Sequence, residues 1–131
     1  MIVGLGTDLV ALDRIRRALA RHGDRFLERV LTAGERTAGN QRPDPALFVA
    51  SRFAAKEAAA KALGTGFQGG VRLTDLEVVR SRGQAPELHL HGAAARHAAN
   101  LGVVRQHLSL SDEGGFALAT VVLEGEARGA G

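Results

Sequence analysis

The segment between Leu47 and Leu63 constrains the fold most, because it contains neither Gly nor Pro and is rich in Ala. Ala has the highest helix propensity of all residues. A polar, proline-containing stretch at residues 39–45 precedes the segment and Gly64 follows it directly, which are common signals for the start and the end of a helix. Any fold for this chain must therefore accommodate one long, alanine-rich helix.

The other apolar patterns alternate between a period of two and a helical period. They predict strands at residues 2–10, 76–79, 87–91, 107–111 and 116–123, and further helices at 12–23, 26–31 and 93–101. Thr32 and Glu35 have the spacing of a capping box, so another helical turn is expected there. Strands at both ends with helices between them predict one α+β domain with a mixed, mostly antiparallel sheet. We place this domain at residues 1–124 and expect 125–131 to be a disordered tail.

The core is expected to be thin, because the 131 residues are 45% hydrophobic but only 4% aromatic. Small domains of this kind often gain stability by burying surface against another copy of the chain. With no Cys, a disulfide framework and a thiolate metal site are excluded. The N-terminus lacks the pattern of a signal peptide, and no apolar run approaches the roughly 20 residues that span a bilayer. We therefore expect a cytoplasmic protein without a membrane partner.

Arginine supplies nearly all of the positive charge, since Lys56 and Lys61 are the only lysines in a chain of net charge +3. The arginine fork binds phosphate and carboxylate groups in a bidentate manner. A compositional bias towards Ala, Gly and Arg explains the same observation. The charge alone therefore leaves nucleic acid, an acidic protein and a phosphorylated ligand open as partners.

Two isolated carboxylates, Asp8 and Glu57, are the best candidates for chemistry. Asp8 interrupts a strand that is expected to be buried, where a carboxylate is costly unless it is paired or binds a metal. Glu57 lies four residues before Lys61 on one face of the long helix, a spacing that a surface ion pair would also explain. Oxygen ligands without Cys or a His cluster favour a hard cation such as magnesium. The four-glycine loop at residues 64–70 would allow a ligand to approach the backbone closely.

Two other patterns are weaker. His89 and His91 could share one face of a strand, but zinc sites need at least three protein ligands and no third is evident. His107, Ser109 and Ser111 do not form a recognisable triad, and no G-x-S-x-G motif is present.

Three segments resemble those of a known family in their residues, their order along the chain and their separation. They are Ile2-Val3-Gly4-Leu5-Gly6-Thr7-Asp8-Leu9-Val10 with Arg14-Ile15, then Arg29-Val30-Leu31-Thr32 with Glu35, then Arg52-Phe53-Ala54-Ala55-Lys56-Glu57-Ala58 with Lys61-Ala62-Leu63-Gly64-Thr65-Gly66. From Met1 to about Glu124 the chain resembles the holo-acyl-carrier-protein synthase family of phosphopantetheinyl transferases. The resemblance implies the 4'-phosphopantetheinyl transferase fold, a trimer with sites between subunits, and no nucleic-acid partner.

The resemblance also implies a reaction, in fatty acid biosynthesis. The 4'-phosphopantetheine group would move from coenzyme A to a serine of apo acyl carrier protein, leaving adenosine 3',5'-bisphosphate. Asp8 and Glu57 would bind Mg2+, Glu57 would remove the serine proton through a metal-bound water, and Lys61 would lie against the phosphates. The residues implied in coenzyme A binding are Arg52, Lys61, Gly64, Thr65, Gly66, Pro86, Ser109 and Ser111.

The resemblance further implies that the first helix docks the acidic helix of the carrier protein. The residues concerned are Arg14, Arg21, Arg25, Phe26 and Phe53. Such charge complementarity raises the association rate and weakens as salt is added.

One position departs from the family pattern. Many members have His directly after the Ser-x-Ser of the penultimate strand, where this chain has Asp112, so any role of that His does not carry over. Two alternatives remain open at this point: an arginine-rich, non-enzymatic module that binds RNA or an acidic protein, and another magnesium-dependent phosphotransferase. The first lacks interleaved aromatic residues for base stacking and does not explain Asp8.

Overall fold

The computed structural model describes residues 1–40 and 42–126. The strands are β1 (Ile2–Ala11), β2 (Leu76–Val79), β3 (Glu87–Leu90), β4 (Val103–Glu113) and β5 (Phe116–Gly125). The helices are α1 (Leu12–His22), α2 (Asp24–Val30), α3 (Ala33–Gly39), α4 (Pro45–Leu63) and α5 (Gly92–Leu101), with a 3-10 turn at Leu73–Asp75. Among these residues, no helix combines the length and the apolar character needed to cross a membrane.

The strands form two antiparallel sheets. β5 lies between β1 and β4 in a three-stranded sheet, and β2 pairs with β3 in a separate hairpin. The α+β class and the antiparallel pairing predicted from the sequence are confirmed. β4 begins at Val103, before the predicted start at residue 107, and β5 continues through Gly125, one residue into the stretch expected to be a tail. Residues 127–131 of that stretch lie outside the described residues.

The long helix α4 forms the centre of the domain. Asp44 caps its start by accepting hydrogen bonds from the backbone amides of Ala46 and Leu47, and Gly64 ends it in a left-handed conformation. Its alanines are buried on several sides, against β1, β5 and the shorter helices. Because Ala side chains are short, neighbouring elements approach the helix backbone closely.

The three-stranded sheet has one covered and one open face. Gly4, Gly6, Asp8 and Val10 of β1 point towards α4. The alternate residues of β1 point away from it, so Leu5 and Leu9 are 66% and 60% exposed. The expectation that β1 is buried is therefore wrong for half of its side chains. The sequence reading missed this because apolar residues occupy both faces of the strand.

Candidate functional site

Two glycines of β1 bring the strand against the backbone of α4. A Cβ atom at Gly4 would collide with the carbonyl oxygen of Ala62, and one at Gly6 would collide with the carbonyl oxygen of Ala58. Asp8 is the next residue on this face of the strand, because strand side chains alternate. The contact through the glycines therefore places the Asp8 carboxylate beside α4.

Lys61 of α4 meets Asp8 there. Its Nζ donates hydrogen bonds to Oδ1 of Asp8 and to the carbonyl oxygen of Thr7, both at 3.0 Å. The Asp8 side chain is only 17% exposed, whereas that of Lys61 is 54% exposed. Asp8 is thus paired, as a carboxylate in this setting must be, and the lysine ammonium remains open to an anionic ligand.

Glu57 lies one helical turn before Lys61 and close enough to Asp8 to feel its charge. Burial raises the pKa of the Glu57 carboxyl above 4.5, and the charge of Asp8 raises it further, while Arg14 and Lys61 lower it. The two sequence-predicted metal ligands are therefore brought together. The described residues hold no group of three or more His, Asp or Glu that could bind a metal. A pair of carboxylates fits Mg2+, which usually takes one or two protein carboxylates and completes its shell with water and phosphate oxygens.

Glu57 also lines an open cleft of about 710 Å³. The other lining residues are Arg14, Phe26, Glu28, Arg29, Val30, Phe53, Phe67, Val71, Arg72, Leu73 and Thr74. Three of the five residues expected to dock a carrier protein, Arg14, Phe26 and Phe53, thus lie beside Glu57. The guanidinium of Arg14 stands 5.2 Å from the centroid of the Phe53 ring. Arg21 and Arg25 are exposed and do not line the cleft.

Arg52 lies in a second cleft, of about 420 Å³, together with Arg42, Arg80 and Asp112. Its side chain stacks on the Phe48 ring at 3.7 Å from the centroid, and its Nε is buried with no hydrogen-bond partner among the described residues. Burial lowers the pKa of Arg52 to about 10, against an opposing effect of Glu35, and Arg42 and Arg80 lower it further. A buried cation with a free donor among other arginines is a suitable site for an anion. Sequence reasoning identified Arg52 but missed Arg42 and Arg80, which no motif marks.

Arg52 and Lys61 project from opposite sides of α4. They are nine residues apart, which corresponds to about half a turn of rotation and about 13 Å along the helix axis. The Gly64-Thr65-Gly66 loop follows Lys61 directly, and Gly64 and Gly66 both have positive φ. Pro86 lies in the β2–β3 connection, the segment that also contains Arg80. These predicted coenzyme A contacts therefore fall into two groups on two sides of α4.

Ser109 and Ser111 belong to neither group. In the sheet register Ser109 lies beside Thr120, which pairs with Thr7, and Ser111 lies beside Leu118, which pairs with Leu9. They are therefore on the open face of the sheet, away from α4. Asp112 points to the opposite face and lines the Arg52 cleft.

His89 of β3 and His91, which follows the strand and precedes α5, each lie against a carboxylate. Nε2 of His89 lies 3.0 Å from Glu87, and Nε2 of His91 lies 3.1 Å from Glu77. No third ligand joins them among the described residues, so zinc binding gains no support.

A buried ion pair between Lys56 and Glu35 was missed by sequence reasoning. Both side chains are buried, and Nζ of Lys56 lies 2.6 Å from Oε1 of Glu35. Burial lowers the pKa of the Lys56 ammonium, and Glu35 opposes this shift. Two sequence features could have indicated this pair: a lysine within the apolar part of α4, and the glutamate of the predicted capping box. The structure confirms the capping box.

Comparisons with known proteins agree over nearly the whole chain. A family model described as the 4'-phosphopantetheinyl transferase superfamily matches residues 4–121. The holo-[acyl-carrier-protein] synthase of Alkalilimnicola ehrlichii is 58% identical over 125 residues, covering 95% of this chain and 98% of that protein. These similarities give no support to an arginine-rich binding module.

Two solved structures show the same fold. The crystal structure of holo-[acyl-carrier-protein] synthase from Neisseria meningitidis matches with a TM-score of 0.88 at 40% identity, covering 95% of this chain and 99% of that one. The holo-(acyl-carrier-protein) synthase from Bacillus anthracis, in complex with CoA (3',5'-ADP), matches with a TM-score of 0.79 at 39% identity, covering 96% and 99%.

Proposed function

Because the chain belongs to the holo-[acyl-carrier-protein] synthase family of the 4'-phosphopantetheinyl transferase superfamily, we propose that it transfers 4'-phosphopantetheine from coenzyme A to a serine of apo acyl carrier protein. The products are the holo carrier protein and adenosine 3',5'-bisphosphate, and the expected location is the cytoplasm. The observation that carries this proposal is the meeting of Asp8, Glu57 and Lys61 at the contact of β1 with α4.

Asp8 and Glu57 hold Mg2+ in this proposal. Burial of Glu57 and the nearby charge of Asp8 both raise the pKa of Glu57, so a divalent cation bound to the two carboxylates would offset unfavourable negative charge. When bound, Mg2+ offsets negative charge on the pyrophosphate and on the leaving group. Lys61, already held by Asp8, lies against the phosphates.

Glu57 accepts the proton of the incoming serine hydroxyl. Glu57 lines the same cleft as Arg14 and Phe26, where the carrier protein would dock, so it is placed to accept this proton. The serine oxygen then bonds to the phosphorus next to the pantetheine arm. The bond from that phosphorus to the bridging oxygen breaks, and adenosine 3',5'-bisphosphate leaves with the electron pair.

One coenzyme A contacts two protomers. Arg52 and Lys61 face opposite sides of α4, and α4 is buried along most of its length between them. A ligand bound to one chain therefore cannot reach both sides, whereas the Arg52 cleft of one protomer can face the Lys61 side of its neighbour. Ser109 and Ser111 lie on the open face of the sheet. They would reach the bound coenzyme A where this face meets a neighbouring protomer.

The open sheet face supports a homotrimer. The face carries four large apolar side chains that are each at least 40% exposed: Leu5, Leu9, Phe116 and Leu118. An exposed apolar patch of this kind commonly marks an interface between subunits. Burial of this face in a trimer also agrees with the thin core of one chain.

The carrier protein docks on α1 and the start of α2. This surface carries three exposed, basic side chains: Arg14, Arg21 and Arg25. Phe26 follows Arg25 directly and lines the cleft that contains Glu57. Phe53 is mostly buried below Arg14, so it supports the surface from beneath. An acidic helix placed here would bring its serine towards Glu57.

Intact-mass spectrometry tests the proposed function. An apo acyl carrier protein incubated with this protein, coenzyme A and Mg2+ should gain about 340 Da, the mass of the group moved by this phosphoryl transfer. The gain should disappear with EDTA. No gain with several carrier proteins, all accepted by another synthase, would contradict the proposal.

A further inference from the structure

The Lys56–Glu35 ion pair is fully satisfied and fully enclosed. Lys56 is 0% exposed, and its three ammonium protons are directed to Oε1 of Glu35 at 2.6 Å, the carbonyl oxygen of Leu73 at 3.0 Å and that of Leu76 at 2.6 Å. An ammonium group has three donors, so none is left for a ligand. Lys56 therefore acts inside the domain and not on a substrate.

Glu35, the partner of Lys56, makes further hydrogen bonds to the backbone. Its carboxylate also accepts hydrogen bonds from the backbone amides of Thr32 at 2.9 Å and Val78 at 3.0 Å. The pair thus joins the start of α3, the middle of α4, the 3-10 turn and β2. Outside the pair itself, the hydrogen-bond partners of Lys56 and Glu35 are all backbone groups.

Stability alone does not explain a buried charged pair here. Moving two charges out of water offsets most of their attraction, so an apolar pair of similar size often gives an equally stable protein. Eight of the 19 residues of α4 are alanines, and its larger buried apolar residues are Phe48, Val49, Phe53 and Leu63. The glycine contact with β1 holds α4 on one side, and the ion pair adds a second connection, from α4 to the start of α3, the 3-10 turn and β2.

The same pair reaches the proposed active site. Lys56 and Glu57 are consecutive, so their side chains leave α4 about 100° apart, and any rotation of the helix turns both. Lys56 also holds the carbonyl of Leu73, which belongs to the wall of the cleft that Glu57 lines. We propose that Lys56 and Glu35 are positioning residues. They set the direction in which Glu57 points towards Asp8, and they set the distance between Glu57 and the cleft wall at Leu73.

The test compares a double variant with a control variant that loses packing elsewhere in α4, and it rests on the proposed function only in part. Glu35→Gln with Lys56→Met removes both charges, and the amide oxygen of Gln can still accept one of the two backbone hydrogen bonds that Glu35 accepts from Thr32 and Val78. Val49→Ala, a cavity in another part of α4, serves as the control. Each protein is measured below its melting range for kcat, for KM with the carrier protein, and for the dissociation constant of Mn2+ by electron paramagnetic resonance.

We expect the double variant to lose about tenfold or more in kcat, since small displacements of a reacting group have effects of this size. Its Mn2+ dissociation constant should rise about tenfold, the lower end of the range for loss of groups that orient metal ligands. Its KM for the carrier protein should be unchanged, and Val49→Ala should change none of the three. A kcat and a Mn2+ dissociation constant that both stay within about twofold of the parent, or equal losses in the control, would overturn the proposal.

A second variant covers failure of the double variant to fold. Glu35→Asp keeps the charges but shortens the connection, and it should lower kcat and weaken Mn2+ binding in the same direction; unchanged values would again overturn the proposal. The metal measurement separates this inference from the proposed function. If the parent protein binds Mn2+ through Asp8 and Glu57 but transfers no phosphopantetheine, only the proposed function is contradicted.

Discussion

Gly6→Ala tests whether the close contact of β1 with α4 builds the site. The new Cβ would collide with the carbonyl oxygen of Ala58, and it would lie 2.8 Å from the backbone nitrogen of Ala62. These are backbone atoms of a buried helix, so they cannot yield as the tip of a flexible side chain would. The strand and the helix must separate instead.

The expected loss follows from this geometry. Overpacking a core usually costs about 1–3 kcal/mol, and a clash between two backbones belongs at the upper end. For a chain of this size, about 3 kcal/mol lowers the melting temperature by roughly 10 °C. Asp8 is two residues from Gly6 on the same face, so it moves away from Glu57 and Lys61, and kcat should fall about tenfold or more.

Thermal unfolding and the transfer assay measure the two effects, with Gly34→Ala as the control. A Cβ at Gly34 would first meet Oε2 of Glu77 at 3.2 Å, the end of a side chain that can shift. Gly34→Ala should therefore stay close to the parent. A Gly6→Ala protein that melts within about 2 °C of the parent and keeps its full activity would refute the reasoning.

Four further predictions follow from the site and its surroundings. Asp8→Ala and Glu57→Ala should each abolish transfer while the far-ultraviolet circular dichroism stays unchanged; near-normal turnover by either would remove the metal assignment. Glu57→Gln should raise the melting temperature in EDTA at about pH 7, because the folded-state pKa lies above the unfolded value and ionised Glu57 weakens the fold. This gain should vanish as the pH falls towards 4, and a constant gain would argue against it. Arg25→Ala should raise KM for the carrier protein far more than KM for coenzyme A, with Arg96→Ala on α5 as the control, and equal effects on both would count against the docking surface. Leu118→Glu should convert the proposed homotrimer to monomers in analytical ultracentrifugation and abolish transfer, whereas a trimer that persists would place the interface elsewhere.

Local sequence patterns predicted the elements well where one signal dominated. The alanine-rich run with Gly64 behind it defined α4, and Thr32 with Glu35 defined the start of α3. The start of β4 was missed because Val104, Arg105 and Gln106 give no clear alternation. Burial of β1 was misjudged because a period-two pattern cannot be read when both faces are apolar.

The candidate site could be predicted in part. Asp8 and Glu57 were recognised because a charge in an apolar strand and a motif in a helix are visible locally. The role of Gly4 and Gly6 was missed, since close approach of another element is a property of the tertiary packing. The Lys56–Glu35 pair was missed for the same reason, because 21 residues separate its partners. The division of the coenzyme A contacts between two sides of α4 became visible only with the helix in place.

The buried ion pair also has a consequence for how the sequence can change in evolution. Loss of one partner strands a charge in the core, at about 3–5 kcal/mol, a large share of the roughly 5–15 kcal/mol that holds a domain folded. An intermediate carrying one of the two changes would rarely survive selection, although the doubly changed protein could. Lys56 and Glu35 should therefore be inherited together, and a lineage that replaces one of them should have replaced the other as well.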